Sequence, residues 1–200
     1  MKISVIGSGS WGIALSIYLA KKGNDIKVWS FDEKEKQMIN EQKKCIFLPN
    51  VQLPDGIFCT NRYEDAVKDA EIILHVTPSK FVRNTIKGYQ DYVKQNQILL
   101  MCSKGFEAET NLMLDDIIEE ELPNISYGIL SGPSHAEEVA IGVPTALVVA
   151  SKSEEVIQKA QDVLKSNLLR IYHTNDVKGV ELRRCFKKYY CILCWCCSRT

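Results

Sequence analysis

Residues 3–12, Ile-Ser-Val-Ile-Gly-Ser-Gly-Ser-Trp-Gly, constrain the fold of this chain more than any other stretch. Four residues of buried-strand character run into Gly7-x-Gly9-x-x-Gly12. An apolar-periodic helix follows at once through Ile13, Ala14, Leu15, Ile17, Leu19 and Ala20. Each glycine has its own task in such a turn. Gly7 permits the tight bend, Gly9 lets a pyrophosphate approach the backbone, and Gly12 lets the helix pack close to the strand. The free N–H groups and the positive dipole end of the helix then face the phosphates. A second strand over 25–30 arrives on schedule, so the expected unit is a βαβ that binds a dinucleotide.

Strand and helix patterns alternate through the rest of the chain. Strands are expected over 57–60, 71–77, 97–103, 127–130, 145–150 and 169–173. Helices are expected over 63–69, 80–93, 112–122 and 154–166, with a loop and short helix over 132–140. Near-continuous apolar strands alternating with helices predict an α/β, Rossmann-type, doubly wound sheet that is mainly parallel and covered on both faces. Ligands in such sheets bind outside the carboxyl ends of the strands. The places to search are therefore 7–12, 30–32, 77–80, 102–107 and 131–138.

Several side chains in those loops could carry chemistry. Asp32 lies 20 residues past Gly12, the distance of a carboxylate that holds the adenine ribose, but it falls beyond the expected end of its strand. A solvated turn residue is the other reading, and NAD versus NADP stays open. Lys104, in Cys-Ser-Lys-Gly-Phe-Glu, can meet a phosphate or hydroxyl as a charge-assisted donor, or stand on the surface. Ser134 and Glu137 fit a capping box, and Ser79 can cap the helix after it. His75 reads as a core histidine. His135 has no evident partner, and His173 is assigned nothing. The run Glu119-Glu120-Glu121 reads as a solvated helix face.

Hydrophobic content of 46% is enough for a sizeable core. Lys+Arg and Asp+Glu balance at 25 each, which suggests no polyanion partner such as nucleic acid. No apolar run approaches a membrane span, and the N-terminus enters a strand directly, so the expected compartment is the cytoplasm. Cysteine usage divides the chain. Cys45, Cys59 and Cys102 are spread over the first 182 residues, whereas Cys185, Cys191, Cys194, Cys196 and Cys197 crowd the end.

Five segments together resemble the bacterial NAD(P)-dependent glycerol-3-phosphate dehydrogenases: Gly-Ser-Gly-Ser-Trp-Gly (7–12), Phe-Leu-Pro-Asn-Val (47–51), Ser-Lys-Gly-Phe-Glu (103–107), Leu-Ser-Gly-Pro-Ser-His-Ala-Glu-Glu-Val (130–139) and Gly-Val-Glu-Leu (179–182). The resemblance implies interconversion of sn-glycerol 3-phosphate and dihydroxyacetone phosphate with NAD or NADP, for glycerophospholipid synthesis. It implies dinucleotide contacts from Gly7, Gly9, Ser10, Trp11, Gly12, Phe31, Lys104 and Ala136, and substrate contacts from Lys104, Gly132 and Ser134. Many members carry a polar or basic residue where this chain has Phe31. A homodimer is possible for the intact enzyme, and no metal is implied. A non-catalytic dinucleotide-binding module or sensor is the alternative.

The resemblance stops after Leu182. The family continues with Gly-Gly-Ala-Leu-Lys-Asn, whose lysine is the general acid/base, and then with a helical substrate domain. This chain reads Arg-Arg-Cys-Phe-Lys-Lys instead. One adenine inserted before codons for Gly-Gly-Ala-Leu-Lys-Asn-Ile-Ile-Ala-Phe-Cys-Ala-Gly-Val-Ala-Ala-Gly reproduces Arg183 through Arg199. The expected organisation is thus a dinucleotide-binding domain over 1–182 and an out-of-frame, Cys-rich tail over 183–200, with the helical domain missing. Lys187 falls at the catalytic lysine's position in a scrambled context, so the catalytic residue is unknown. The rival reading of the tail as a metal or redox site lacks a second well-spaced ligand pair.

Overall fold

The first strand and the helix behind it take the form that the glycine spacing requires. In this computed structural model, which describes residues 1–183 of the 200, β1 (Lys2–Ile6) enters the glycine turn and α1 (Ser10–Lys21) leaves it. The chain continues through β2 (Asp25–Trp29), α2 (Glu33–Gln37), β3 (Ile57–Thr60), α3 (Tyr63–Val67), β4 (Ile72–His75), α4 (Val82–Tyr89), β5 (Ile98–Met101) and α5 (Leu114–Glu121). It then forms β6 (Ser126–Ser131), α6 (Ala136–Ile141), β7 (Thr145–Ala150), α7 (Glu154–Leu164) and β8 (Leu169–Thr174).

The eight strands form one sheet in the order β3-β2-β1-β4-β5-β6-β7-β8. All neighbouring pairs are parallel except β6 and β7. The connection through α6 starts and ends at the same edge of the sheet, which turns β7 antiparallel. The order reverses between β1 and β4, and the carboxyl ends of those two strands open the crevice where such sheets bind ligands.

Side-chain alternation divides the core in two. Ile3 and Val5 of β1, with Ile72, Leu74, Ile98 and Leu100, pack on the face covered by α1, α6 and α7. Ile6, Ile73, Leu99 and Met101 face α3, α4 and α5. Helix α1 is buried nearly all round and is tied to the end of α7 by polar side chains. The Tyr18 hydroxyl donates to the Leu164 carbonyl (2.6 Å), and the Lys22 ammonium closes the helix by donating to the Val163 and Lys165 carbonyls (2.6 and 2.8 Å).

Local starts depart from expectation in two places. Ser79 does not cap a helix; it opens a 3₁₀ turn (Ser79–Phe81) after Pro78, and regular helix begins only at Val82. Ser134 does not cap α6 either. The N-cap is His135 and no side chain caps it, so Glu137 falls one position short of a capping box. A short π-helical turn (Met38–Gln42) after α2 was not expected. Among the described residues no helix is long and apolar enough to cross a membrane. The tail from 184 onward, Lys187 included, lies outside the described residues.

Candidate functional site

The glycine turn is held by contacts that tolerate no side chain at one position and leave another bare. Gly7 has φ +122°, a left-handed conformation that favours glycine, and its N–H donates to the Trp29 carbonyl at 3.0 Å. A Cβ on Gly12 would lie 2.1 Å from the Gly7 carbonyl oxygen, so α1 approaches the turn only because Gly12 lacks one. A Cβ on Gly9 would meet nothing within 4 Å. Gly9 is also the N-cap of α1 and brings no capping side chain. The first-turn N–H groups of α1, which no intrahelical carbonyl reaches, are thus presented beside bare backbone.

That turn forms one wall of a cavity of about 570 Å³ at the carboxyl ends of β1, β2 and β4. Its volume lies within the range of small-molecule sites. The opposite walls are largely apolar: Phe31 after β2, Pro78 after β4, Phe47 and Phe81. Trp29 and Tyr63 stack at 4.4 Å between ring centroids and close its floor. Walls of this kind suit an aromatic base, and the bare backbone at Gly9 and the start of α1 suits an anionic group.

One side chain that is charged at neutral pH, Glu35 of α2, lines this cavity among the described residues. Its Oε2 accepts a hydrogen bond from the Ser30 hydroxyl at 2.8 Å and another from the Ser8 hydroxyl. The two hydroxyls are themselves 2.9 Å apart. Asp32 does something else. It is the N-cap of α2 and accepts the Lys34 N–H at 2.8 Å, and it is not part of the cavity wall. Asp32 is therefore a helix cap, which neither the ribose reading nor the solvated-turn reading anticipated. Glu35 went unnoticed in the sequence because it lies inside a run of alternating charges (32–36). The available signal was the pair of small hydroxyls, Ser8 and Ser30, on adjacent strand ends.

Of the remaining candidates, some line this cavity and others stand off it. Ser10 and Trp11 open α1 on the cavity wall, as does Phe31, which is 82% exposed. Lys104 is exposed beyond β5. Gly132 and Ser134 lie between β6 and α6, and Ala136 is the buried first residue of α6. His75 is fully buried, with Nδ1 2.9 Å from the Tyr89 hydroxyl and Nε2 2.7 Å from the Thr77 hydroxyl. Burial pushes its imidazole down to about 3, so it stays neutral. The Glu119-Glu120-Glu121 run is more than a solvated face. Arg83 pairs with Glu120 and Glu121 and also forks onto Glu107 at 2.8 and 2.9 Å, which holds the Glu107 carboxyl below its usual range. Among the described residues, no cluster of three His, Cys, Asp or Glu is placed to hold a metal ion.

A second carboxylate, Glu181, is not part of the cavity wall. Glu181 is 2% exposed, and its Oε1 accepts the Leu114 N–H at 2.7 Å where α5 begins. Oε2 lies 3.4 Å from the Asp115 N–H. Burial first, and then the neighbouring Asp115, raise the Glu181 carboxyl to about 7. Lys178 bridges Asp115 at 2.8 Å and also reaches Asp116. These contacts fasten residues 176–183 to α5.

Residues 2–157 match the family model described as the NAD-dependent glycerol-3-phosphate dehydrogenase N-terminus. The chain is 44% identical over 186 residues to a glycerol-3-phosphate dehydrogenase [NAD(P)+] of Fusobacterium nucleatum, covering 91% of this chain and 55% of that protein. It is 37% identical to the Carboxydothermus hydrogenoformans enzyme of the same name over 99% of this chain and 60% of that one. The crystal structure of glycerol-3-phosphate dehydrogenase from Coxiella burnetii superposes with a TM-score of 0.87 at 27% identity, over 92% of this chain and 56% of that chain. The chain therefore spans little more than half the length of the relatives it matches.

Proposed function

From the premise that this chain belongs to the NAD-dependent glycerol-3-phosphate dehydrogenase family, matching its N-terminal domain, we propose that residues 1–182 bind NAD(H) or NADP(H) for the interconversion of glycerol 3-phosphate and dihydroxyacetone phosphate. The observation that carries this reading is the bare Gly9 backbone at the uncapped start of α1, opening into an aromatic-lined cavity. Nothing in the comparisons favours a non-catalytic module.

In this reading the pyrophosphate rests on Gly7, Gly9, Ser10, Trp11 and Gly12, where backbone N–H groups and the helix dipole offset its charge. Phe31 covers the adenosine. Lys104 and Ala136 reach toward the nicotinamide half, and Lys104, Gly132 and Ser134 hold the phosphate and hydroxyls of the substrate. An ammonium at Lys104 suits both jobs, since it offers three donors to a phosphate or an alcohol oxygen. The bound nicotinamide supplies the hydride acceptor or donor. A base must exchange the hydroxyl proton, and the family's lysine in Gly-Gly-Ala-Leu-Lys-Asn has no in-frame counterpart here. We read residues 183–200 as out-of-frame. Resequencing the gene past codon 179 tests that reading, because removal of one base must open a frame encoding a helical domain.

The cytoplasm is the compartment this reading requires, since both substrates and the cofactor are small soluble metabolites. Balanced charge gives no reason to expect a nucleic-acid partner, and a homodimer is proposed only for the intact enzyme. Titration of the 200-residue chain with NADH, followed by nicotinamide fluorescence, tests the binding claim. The expected result is saturable binding without steady-state oxidation of glycerol 3-phosphate, and sustained turnover would contradict it.

A further inference from the structure

We infer that Glu35 sets the cofactor preference of this chain, favouring NAD(H) over NADP(H) by holding a carboxylate at the ribose corner of the cavity. The inference rests on the dinucleotide reading of the site and adds to it the residue that discriminates between the two cofactors.

Three observations converge on that corner. The first is position. In a sheet of this topology the adenosine ribose lies over the carboxyl end of β2, beside the glycine turn. Ser30, the residue directly after β2, and Ser8, in the turn itself, are joined there by their hydroxyls and by Glu35. Glu35 thus reaches from α2 to the place where a strand-end carboxylate usually stands, while Asp32 is engaged at the N-terminus of α2.

The second is the state of the carboxylate. Both serine hydroxyls donate to the same oxygen, Oε2. The other oxygen, Oε1, makes no hydrogen bond among the described residues, although a carboxylate accepts on both. A ribose offers a vicinal pair of hydroxyl donors, so the unoccupied oxygen matches a 2′-hydroxyl. A 2′-phosphate offers negative charge instead, and like charges at close range repel most where apolar walls keep water away.

The third is the absence of compensation. A site for a 2′-phosphate needs a cation, commonly an arginine. No lysine, arginine or histidine lines the cavity among the described residues, and the position beside Ser30 is the exposed, neutral Phe31. The neighbouring Lys36 is turned onto Glu33 at 2.6 Å.

The test is a binding experiment on the full 200-residue chain and needs no catalysis. Isothermal titration with NADH, NADPH, ADP-ribose and 2′-phospho-ADP-ribose separates the ribose corner from the nicotinamide half. The expected result is that each unphosphorylated ligand binds at least about tenfold tighter than its 2′-phosphorylated counterpart. Glu35→Gln keeps size and removes charge, so it narrows both ratios severalfold. Phe31→Arg, at a site open to solvent, raises affinity for the two 2′-phosphorylated ligands even if the Glu35 variant does not fold. Equal or tighter binding of the phosphorylated ligands, ratios unmoved by Glu35→Gln, or no gain from Phe31→Arg would overturn the inference while leaving the dinucleotide reading intact. Failure of all four ligands to bind would overturn the dinucleotide reading, and the inference with it.

Discussion

Glu35 beside the cavity and Glu181 against α5 carry the same carboxylate in opposite settings. Glu35 is partly exposed, takes its hydrogen bonds from two side-chain hydroxyls on one oxygen, and lines an open cavity. Glu181 is sealed and takes its hydrogen bonds from the backbone at the start of a helix, and Asp115 beside it disfavours its charge. One group is placed where a ligand can complete its bonding, and the other is completed by the fold. Burial and the kind of donor, more than residue type, separate a group that recognises from a group that fastens.

The comparison breaks most visibly if the fastening carboxylate can be removed at no cost. Glu181→Ala strands the buried Leu114 N–H, and relief of its repulsion with Asp115 offsets part of that loss, leaving a destabilisation of about 1–2 kcal/mol. Thermal unfolding should show a fall in Tm of several degrees, about 2–4 °C per kcal/mol for a chain of this size. An unchanged Tm would mean that residues 176–183 are not held by this contact. On the ligand side the contrast is inverted. Gly9→Ala adds a methyl where no atom lies within 4 Å, so stability should change by less than about 1 kcal/mol, whereas NADH affinity should drop about tenfold or more because the pyrophosphate loses its close approach. A loss of fold instead of affinity would move Gly9 to the packing side of the comparison.

Smaller effects sharpen it. Glu35→Ala should leave the unfolding free energy within about 0.5 kcal/mol of the parent, because Ser8 and Ser30 retain each other as partners. A large fall in urea midpoint would show that Glu35 also fastens. The pH response should belong to Glu181. Its folded value, about 7, lies above the ordinary 4.5, so the folded chain keeps a proton that the unfolded chain releases. The stability it contributes is fully present below about 4.5 and is lost as pH rises toward 7. Glu181→Gln should flatten that part of a stability–pH curve measured by denaturant unfolding. Asp115, Asp116 and Lys178 pack around the same joint and remain in the variant.

The same contrast explains how far the residues alone could be read. β1, the turn and α1 were legible because each is dictated locally, by apolar runs and by glycines that only one geometry accommodates. The sheet class followed from alternation, since a strand buried on both faces must be covered by helices. Helix starts were less legible. Ser79 and Ser134 have the right chemistry for caps, but Pro78 and the turn after β6 set where helical backbone begins. The reversal of β7 depends on where α6 leaves the chain, and no short-range pattern reports that. Glu35 was the least visible. Its role comes from three segments meeting at the ends of β1 and β2, and on the chain it is one acidic residue in a charged run. Cavity walls contributed by Phe47, Tyr63 and Phe81 are non-local in the same way.

The most direct measurement is a titration of the 200-residue chain with NADH, run in parallel with its Gly9→Ala variant and with circular dichroism to confirm that both are folded. The account predicts saturable binding to the parent chain and binding at least about tenfold weaker to a variant that unfolds at nearly the same temperature. Equal binding by the two folded proteins, or none by the parent, would contradict the assignment of the glycine turn and its cavity as a dinucleotide site.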